Sequence, residues 1–313
     1  MKTGSRQKGA SLLIKAHAAV LLAGCMWGSV GIFVRPLSEH GYSPLTIVFV
    51  RMSIAFLILL PFLWVSNRDL LKIKIKDLWI FIGTGLTSAI ALNLFYSMSI
   101  IMNSLALAAV LLATAPVIVV FISAPLFKER ITSVKVTALV LTFAGCVFTS
   151  GLLGSGAGFN PMGVFIGLLA GVGYALYSIF SRVALNKGYD SLTINIYSFG
   201  LGAIACIPFT NFPIVAATVQ AEPLYMCILL LAHALFTSFL PYILYTYSLK
   251  FIDTGKAAIL SSVEPVAAAV LGVIIYTEIP SLMTLAGMAL VLVAVVLLNL
   301  PRGFRTFFPA RPE

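Results

Sequence analysis

The chain has 313 residues, of which 60% are hydrophobic and only 10% charged, with a mean hydropathy of +1.07. Ordinary soluble domains are about 45–50% apolar and about 25% charged, so this composition excludes a soluble globular protein and indicates an integral membrane protein. The formal net charge of +10 does not call for nucleic acid, because the basic residues follow a pattern that membrane topology explains.

Apolar blocks recur near 16–38, 43–65, 77–98, 103–126, 133–152, 160–182, 191–210, 224–248, 254–276 and 281–300. Each is close to the roughly 20 residues that a helix needs to cross the hydrocarbon core. They are continuous rather than alternating, so they predict ten transmembrane helices and not barrel strands. The first block follows Lys2, Arg6, Lys8 and Lys15 as a signal peptide would. It nevertheless runs past 20 residues, carries Trp27 and lacks a small-x-small exit, so it reads as a helix. Its Gly24-x-x-x-Gly28 pair, with Gly31, marks a face for close packing, as does Gly167-x-x-x-Gly171 in the sixth block.

Along the remaining blocks, ionisable and polar residues are sparse. The second carries Arg51 and the third Asn93 and Tyr96; the fourth contains Pro116 and ends at Glu129, with Thr132 placed to cap the fifth. Tyr174 and Tyr177 fall in the sixth, His233, Tyr242 and Tyr245 in the eighth, and Ser261, Glu264 and Pro265 in the ninth. Glu278 and Ser281 precede the tenth. With ten helices, 18 of the 20 basic residues collect at one set of helix ends. Positive loops stay cytoplasmic, which predicts both termini inside. The four cysteines, Cys25, Cys146, Cys206 and Cys227, show no metal or redox spacing and read as small apolar filler.

Sliding the sequence by 147 residues aligns IFVRPLSEHGYSPLTI (32–47) with IFSRVALNKGYDSLTI (179–194), and an offset of 149 pairs Tyr96 with Tyr245, Pro116 with Pro265 and Glu129 with Glu278. The halves are copies of one five-helix unit. Because five is odd, the second copy must enter the membrane from the opposite side, giving an inverted repeat, a recurring architecture of secondary transporters. The predicted organisation is a cytoplasmic segment 1–15, repeats at 16–152 and 160–300, and a cytoplasmic tail 301–313. No phosphate-binding loop, zinc-protease motif or aspartate-rich motif is present, which argues against an enzyme, a nucleotide-driven pump or a cofactor or metal requirement.

A first helix reading CMWGSVGIF, a fourth ending ATAPVIVVFISAPLFKER and a ninth reading SSVEPVAAAVLGVIIYTE resemble the EamA-type family of the drug/metabolite transporter superfamily. The resemblance covers nearly the whole chain. It implies a secondary carrier in the cytoplasmic membrane, often an exporter of metabolites, with a central cavity lined by helices 1, 3, 4, 6, 8 and 9.

Charges inside a bilayer are costly, roughly 2.5–3.5 kcal/mol on insertion scales, and are functional candidates by default. Glu264 and Arg51 lie roughly 18 Å and 12 Å from the outer helix ends at 1.5 Å per residue, depths that permit a pair directly or through water. Their repeat positions hold Ala115 and Ser198, so neither charge is a requirement of the shared scaffold. The competing reading has Glu264 holding neighbouring hydroxyls or a lysine, and Arg51 reaching up to the interface. Pro265 and Pro116 should kink their helices, Pro265 freeing the carbonyl of Ser261. Trp27, Tyr96, Tyr174, Tyr177, Tyr242 and Tyr245 supply aromatic walls, while Asn93 and His233 supply hydrogen-bonding groups.

The expected function is alternating-access transport of small organic solutes, amino-acid-like ones first and export the leading direction, with the bilayer and a coupling proton as partners. An importer, exchanger or multidrug carrier stays open in the same class. A channel or receptor would need a filter, a ring of charges or a signalling domain, none of which is visible. The sequence leaves oligomeric state open.

Overall fold

A computed structural model describes residues 2–102, 108, 111–149, 160–277 and 281–299. The expected start of the fourth helix (103–107, 109–110), Glu278 and the tail 301–313 lie outside them. All regular structure among the described residues is helical: α1 (Lys2–Gly28), α2 (Val30–Glu39), α3 (Pro44–Ser66), α4 (Leu78–Leu86), α5 (Leu92–Met102), α6 (Ala115–Phe127), α7 (Ser133–Thr149), α8 (Pro161–Asn186), α9 (Ser191–Cys206), α10 (Phe212–Ala221), α11 (Pro223–Ala234), α12 (Leu240–Ser248), α13 (Thr254–Ser261), α14 (Glu264–Tyr276) and α15 (Leu282–Asn299). Six helical stretches among the described residues have the length and apolarity to cross a membrane, and three of the shorter apolar ones fall in the expected blocks 4, 5 and 10. One element was not expected: α10, which lies where the sequence suggested a loop.

Local chemistry sets the helix starts. Ser43, Asn160 and Asp190 accept hydrogen bonds from first-turn amides of α3, α8 and α9, and proline occupies the first helical position of α3 and α8. Thr132 and Ser281 cap α7 and α15 through the amides of Lys135 and Thr284, as the sequence suggested.

The repeat is visible in backbone detail finer than its identities. Gly41 and Gly188, 147 apart, both adopt left-handed φ, +84° and +88°, which glycine accepts without strain. Lys128 and Thr277, 149 apart, end α6 and α14 at φ 54° and 53°. Two π-helical turns, Thr87–Ala91 between α4 and α5 and Leu235–Phe239 between α11 and α12, stand 148 apart.

Contacts between the halves are reciprocal. Tyr42, at the start of repeat one's second helix, bonds Thr218 of α10 at 2.7 Å, while its counterpart Tyr189 donates to Asp77 at 2.7 Å. Thr46 accepts the amide of Asn211, just beyond α9, and its counterpart Thr193 donates to the carbonyl of Leu70, just beyond α3. The start of α3 therefore meets the end of α9 and the reverse, so these equivalent helices pack antiparallel. Reciprocity of this kind is the signature of two-fold related units. Likewise Gly145 of α7 lies against Gly287 and Val291 of α15.

Both prolines mark a local change in helical hydrogen bonding. Each sits just after a two-residue interruption of the α-helical bonding, at Ala113–Thr114 before α6 and at Ser262–Val263 before α14, which i→i+3 turn bonds carry across. Proline's missing N–H costs little at such a position, since the neighbouring amides already take i→i+3 partners. The two breaks carry the same turn bonds: Thr114 N–H to Leu111 O at 3.1 Å matches Val263 N–H to Leu260 O at 3.4 Å.

Candidate functional site

The break before α14 places Glu264 in the first turn of a helix, where free amides and the helix dipole lower the cost of an anion. The break before α6 places Ala115 at the equivalent point. Gly24 and Gly28 of α1 fit against the first of these turns. A Cβ on Gly24 would lie 2.5 Å from the Ser261 carbonyl oxygen, and one on Gly28 would lie 2.6 Å from that of Glu264. The glycine face thus serves packing within one chain, and it brings Trp27 up to the site.

Around Trp27 the structure gathers five of the six expected aromatics. Its ring lies 6.2 Å from Tyr174, 5.6 Å from Tyr242 and 5.5 Å from Tyr245, and Tyr177 lies 5.2 Å from Tyr242. Edge-to-face contacts at these separations are favourable beyond the area they bury. Hydroxyl bonds tie the cluster to its neighbours: Tyr174 with Ser261 at 2.9 Å, and Tyr245 with Ser178 at 2.8 Å. Tyr245 is wholly buried, whereas its counterpart Tyr96 is half-buried and stands apart from the cluster, near Glu264.

Arg51 does not reach up to an interface. It is buried, its Nη2 donates to Asn93 Oδ1 at 3.2 Å, and its Nε has no partner among the described residues. It lies within electrostatic reach of Glu264, Tyr242 and His233. His233 is fully buried beside the π-turn, with Nδ1 3.2 Å from Thr237 Oγ1 and no partner for Nε2 among the described residues. The alternative role for Glu264, holding hydroxyls or a lysine, finds no such bond, and no direct bond joins it to Arg51. Glu264 instead shares electrostatic reach with Tyr96, Tyr174 and Tyr242. Among the described residues, its carboxylate and the hydroxyls of Tyr96 and Tyr242 carry no hydrogen bond.

Sequence reasoning took Glu129 only as the end of the fourth block, and it missed the buried amide of Asn195, which donates to Thr246 Oγ1 at 2.7 Å beside Tyr177 and Tyr242. A polar residue within an apolar block was the available signal for Asn195.

At the far side of the aromatic cluster from Glu264, one ion pair joins the two halves and another lies within the second. Lys187 pairs with the buried Asp77, and Lys250 pairs with Asp190 at 2.6 Å. The hydrogen bond from Lys187, followed by that from Tyr189, holds the Asp77 carboxyl below its ordinary range. Burial alone would raise Asp190, but Lys250, the Leu192 amide and Ser191 outweigh it and leave its pKa lowered.

Comparison with known proteins agrees with this architecture. Residues 14–151 and 161–300 each match the EamA-like transporter family. An uncharacterized transporter of Archaeoglobus fulgidus is 29% identical over 287 residues, covering 90% of this chain and 95% of that one. Uncharacterized transporter YxxF of Bacillus subtilis is 28% identical, covering 92% and 91%, and the uncharacterized inner membrane transporter YicL of Salmonella typhimurium is 24% identical, covering 91% and 95%. A crystal structure matches with a TM-score of 0.72 at 19% identity, over 91% of this chain and 96% of that one, which speaks for the fold alone. With both halves matched, the chain belongs to the EamA-like family of the drug/metabolite transporter superfamily and is a multi-pass membrane transporter.

Proposed function

We propose that this protein is a secondary active carrier, not an enzyme, that moves small amino-acid-like solutes across the cytoplasmic membrane by alternating access, with export as the working direction. In this reading ten helices span the bilayer, the halves are inverted across it, and both termini are cytoplasmic. The antiparallel packing of α3 against α9 supports the inversion, and the basic helix ends support the orientation.

One observation carries the assignment of the site. The buried Arg51 Nε has no partner among the described residues, and Glu264, which likewise makes no hydrogen bond among them, lies within electrostatic reach of Arg51 and of the Tyr96 and Tyr242 hydroxyls. Buried polar groups are normally satisfied, so the Arg51 nitrogen calls for a partner, and the partly accessible Glu264 carboxylate and Tyr96 hydroxyl stand ready to share one. Arg51 offers the planar fork that fits a carboxylate, Glu264 offers a counter-charge for an ammonium group, and Trp27, Tyr96 and Tyr242 offer faces for the apolar remainder. Held apart, the two charges present opposite poles to one zwitterion. Glu264 is also the residue through which a proton would couple.

Counterflow in proteoliposomes, with a panel of amino acids, amines, nucleosides and inorganic cations and with or without a pH gradient, tests the reading. Exchange of at least one zwitterionic solute is expected; no exchange of any organic solute by folded protein would contradict it.

A further inference from the structure

We propose that Glu129 is a charge-dependent lock: it holds the two repeats together at one mouth of the bundle, and its release opens that mouth to solute. The proposal rests on the alternating-access reading above.

Glu129 follows α6 in repeat one, yet its carboxylate is spent on repeat two. Oε1 accepts the amide of Thr254 at 2.7 Å, and Oε2 accepts the amide of Gly255 at 3.1 Å and the hydroxyl of Ser123 at 3.0 Å. Lys135 Nζ stands 3.5 Å from the same oxygen and 3.1 Å from Asp253 Oδ2. Thr254 and Gly255 open α13, so the carboxylate satisfies two amides that no intrahelical bond can take and meets the positive end of the helix dipole. The side chains of Glu129 and Lys135 are only 4% and 7% exposed. The contact is also close: a Cβ on Gly255 would sit 2.7 Å from Val120 Cγ2 and 3.5 Å from Glu129 Oε2.

Position makes this a lock on the solute path. From Thr254 to Glu264 the chain advances ten residues, roughly 15 Å at helical rise. The span between them holds the Ser261–Tyr174 and Ser178–Tyr245 bonds and the closed rings around Trp27. Glu129 lies within electrostatic reach of Tyr245. The polar groups at Arg51 and Glu264 are therefore sealed off on the Glu129 side by a charged layer and an aromatic layer in series.

The lock is built to open. Glu129 and Lys135 belong to the same repeat, so when α13 withdraws each keeps the other as partner and water hydrates both. Losing one member of a sealed ion pair would leave an uncompensated charge; here neither is stranded. The sequence also makes the lock one-sided. At the 149-residue offset Glu129 has Glu278 as counterpart, but Ser123 and Lys135 face Gly272 and Thr284. The reinforced version exists in one copy only, which biases the carrier towards closure at this end.

The test uses full-length protein in detergent, with Cys25, Cys146, Cys206 and Cys227 replaced by alanine and one of two reporters added. Ser178→Cys probes the sealed side. Ser97→Cys, one turn beyond Asn93 on the same face of α5, probes the opposite side. A membrane-impermeant maleimide is the probe. Glu129→Gln should raise the labelling rate at 178 at least about tenfold, the scale of a lost charge-assisted bond, and lower it at 97; Glu129→Asp should restore much of the parental pattern. Local loosening alone would leave position 97 unchanged. Lys135→Met and Asp253→Asn, each expected to give a smaller shift of the same sign, serve if Glu129→Gln does not fold. Unchanged labelling at 178 in folded Glu129→Gln, or a rise at 178 without a fall at 97, overturns the lock. Absence of counterflow by the parent protein, with the labelling shifts intact, would instead overturn the transport reading.

Discussion

The breaks before α6 and α14 are the same backbone event built from different side chains. Each has a two-residue turn, a proline in the next first turn and a left-handed residue closing the helix, at Lys128 and Thr277. One break carries Ala115 and packs beside Gly171; the other carries Glu264 and packs beside Gly24 and Gly28. The difference separates what the two repeats share from what one of them adds. The shared turn positions a helix start in each repeat, and only one start is charged.

The largest expected effect breaks the comparison at its chemistry. Glu264→Gln and Arg51→Ala should each depress counterflow by about 10- to 100-fold, the range for losing a hydrogen bond to a charged group, while the small change Ala115→Ser leaves it within about twofold. The next tests the scaffold. Gly24→Ala drives a Cβ into the Ser261 carbonyl and Val263 at 2.5 and 2.7 Å and should cost ~1–3 kcal/mol, as overpacking does. Gly171→Ala, whose nearest neighbour is the Thr114 hydroxyl at 2.9 Å, should cost less, and Gly31→Ala, with open space, should be neutral. Melting midpoints in detergent rank the three. Pro116→Ala and Pro265→Ala should each change stability by less than ~1 kcal/mol, because a first-turn proline replaces no helical bond; a gain approaching ~3 kcal/mol would indicate a mid-helix proline.

The smallest effect concerns pH. Asp77, lowered by Lys187 and Tyr189, contributes stability above its ordinary range, and that contribution disappears as acid protonates it. Asp77→Asn should therefore melt earlier near neutrality and converge with the parent below about pH 4. A gap that persists in acid would remove Asp77 from this role.

Much of the architecture was legible because membrane helices advertise themselves by length and because the repeat kept identities at Gly41/Gly188 and Pro116/Pro265. The prolines announced an irregularity but not its kind, since a kink and a fresh start share one residue and differ only in where the preceding bonds stop. The π-turns at 87–91 and 235–239 were not legible: one extra residue per turn leaves no proline or glycine mark. Alone among the expected groups, the charges stood out through their asymmetry with Ala115 and Ser198. Glu129 did not, because its partners are backbone amides 125 and 126 residues away, which no side-chain pattern encodes.

The most direct test of the account compares counterflow by Glu264→Gln with that by Pro265→Ala, at equal amounts of folded, inserted protein and with the solute that the parent exchanges best. Glu264→Gln should lose most of the exchange and Pro265→Ala should keep most of it. Parental exchange by Glu264→Gln, or equal losses in both, would contradict the assignment of function to the charge and of structure to the break.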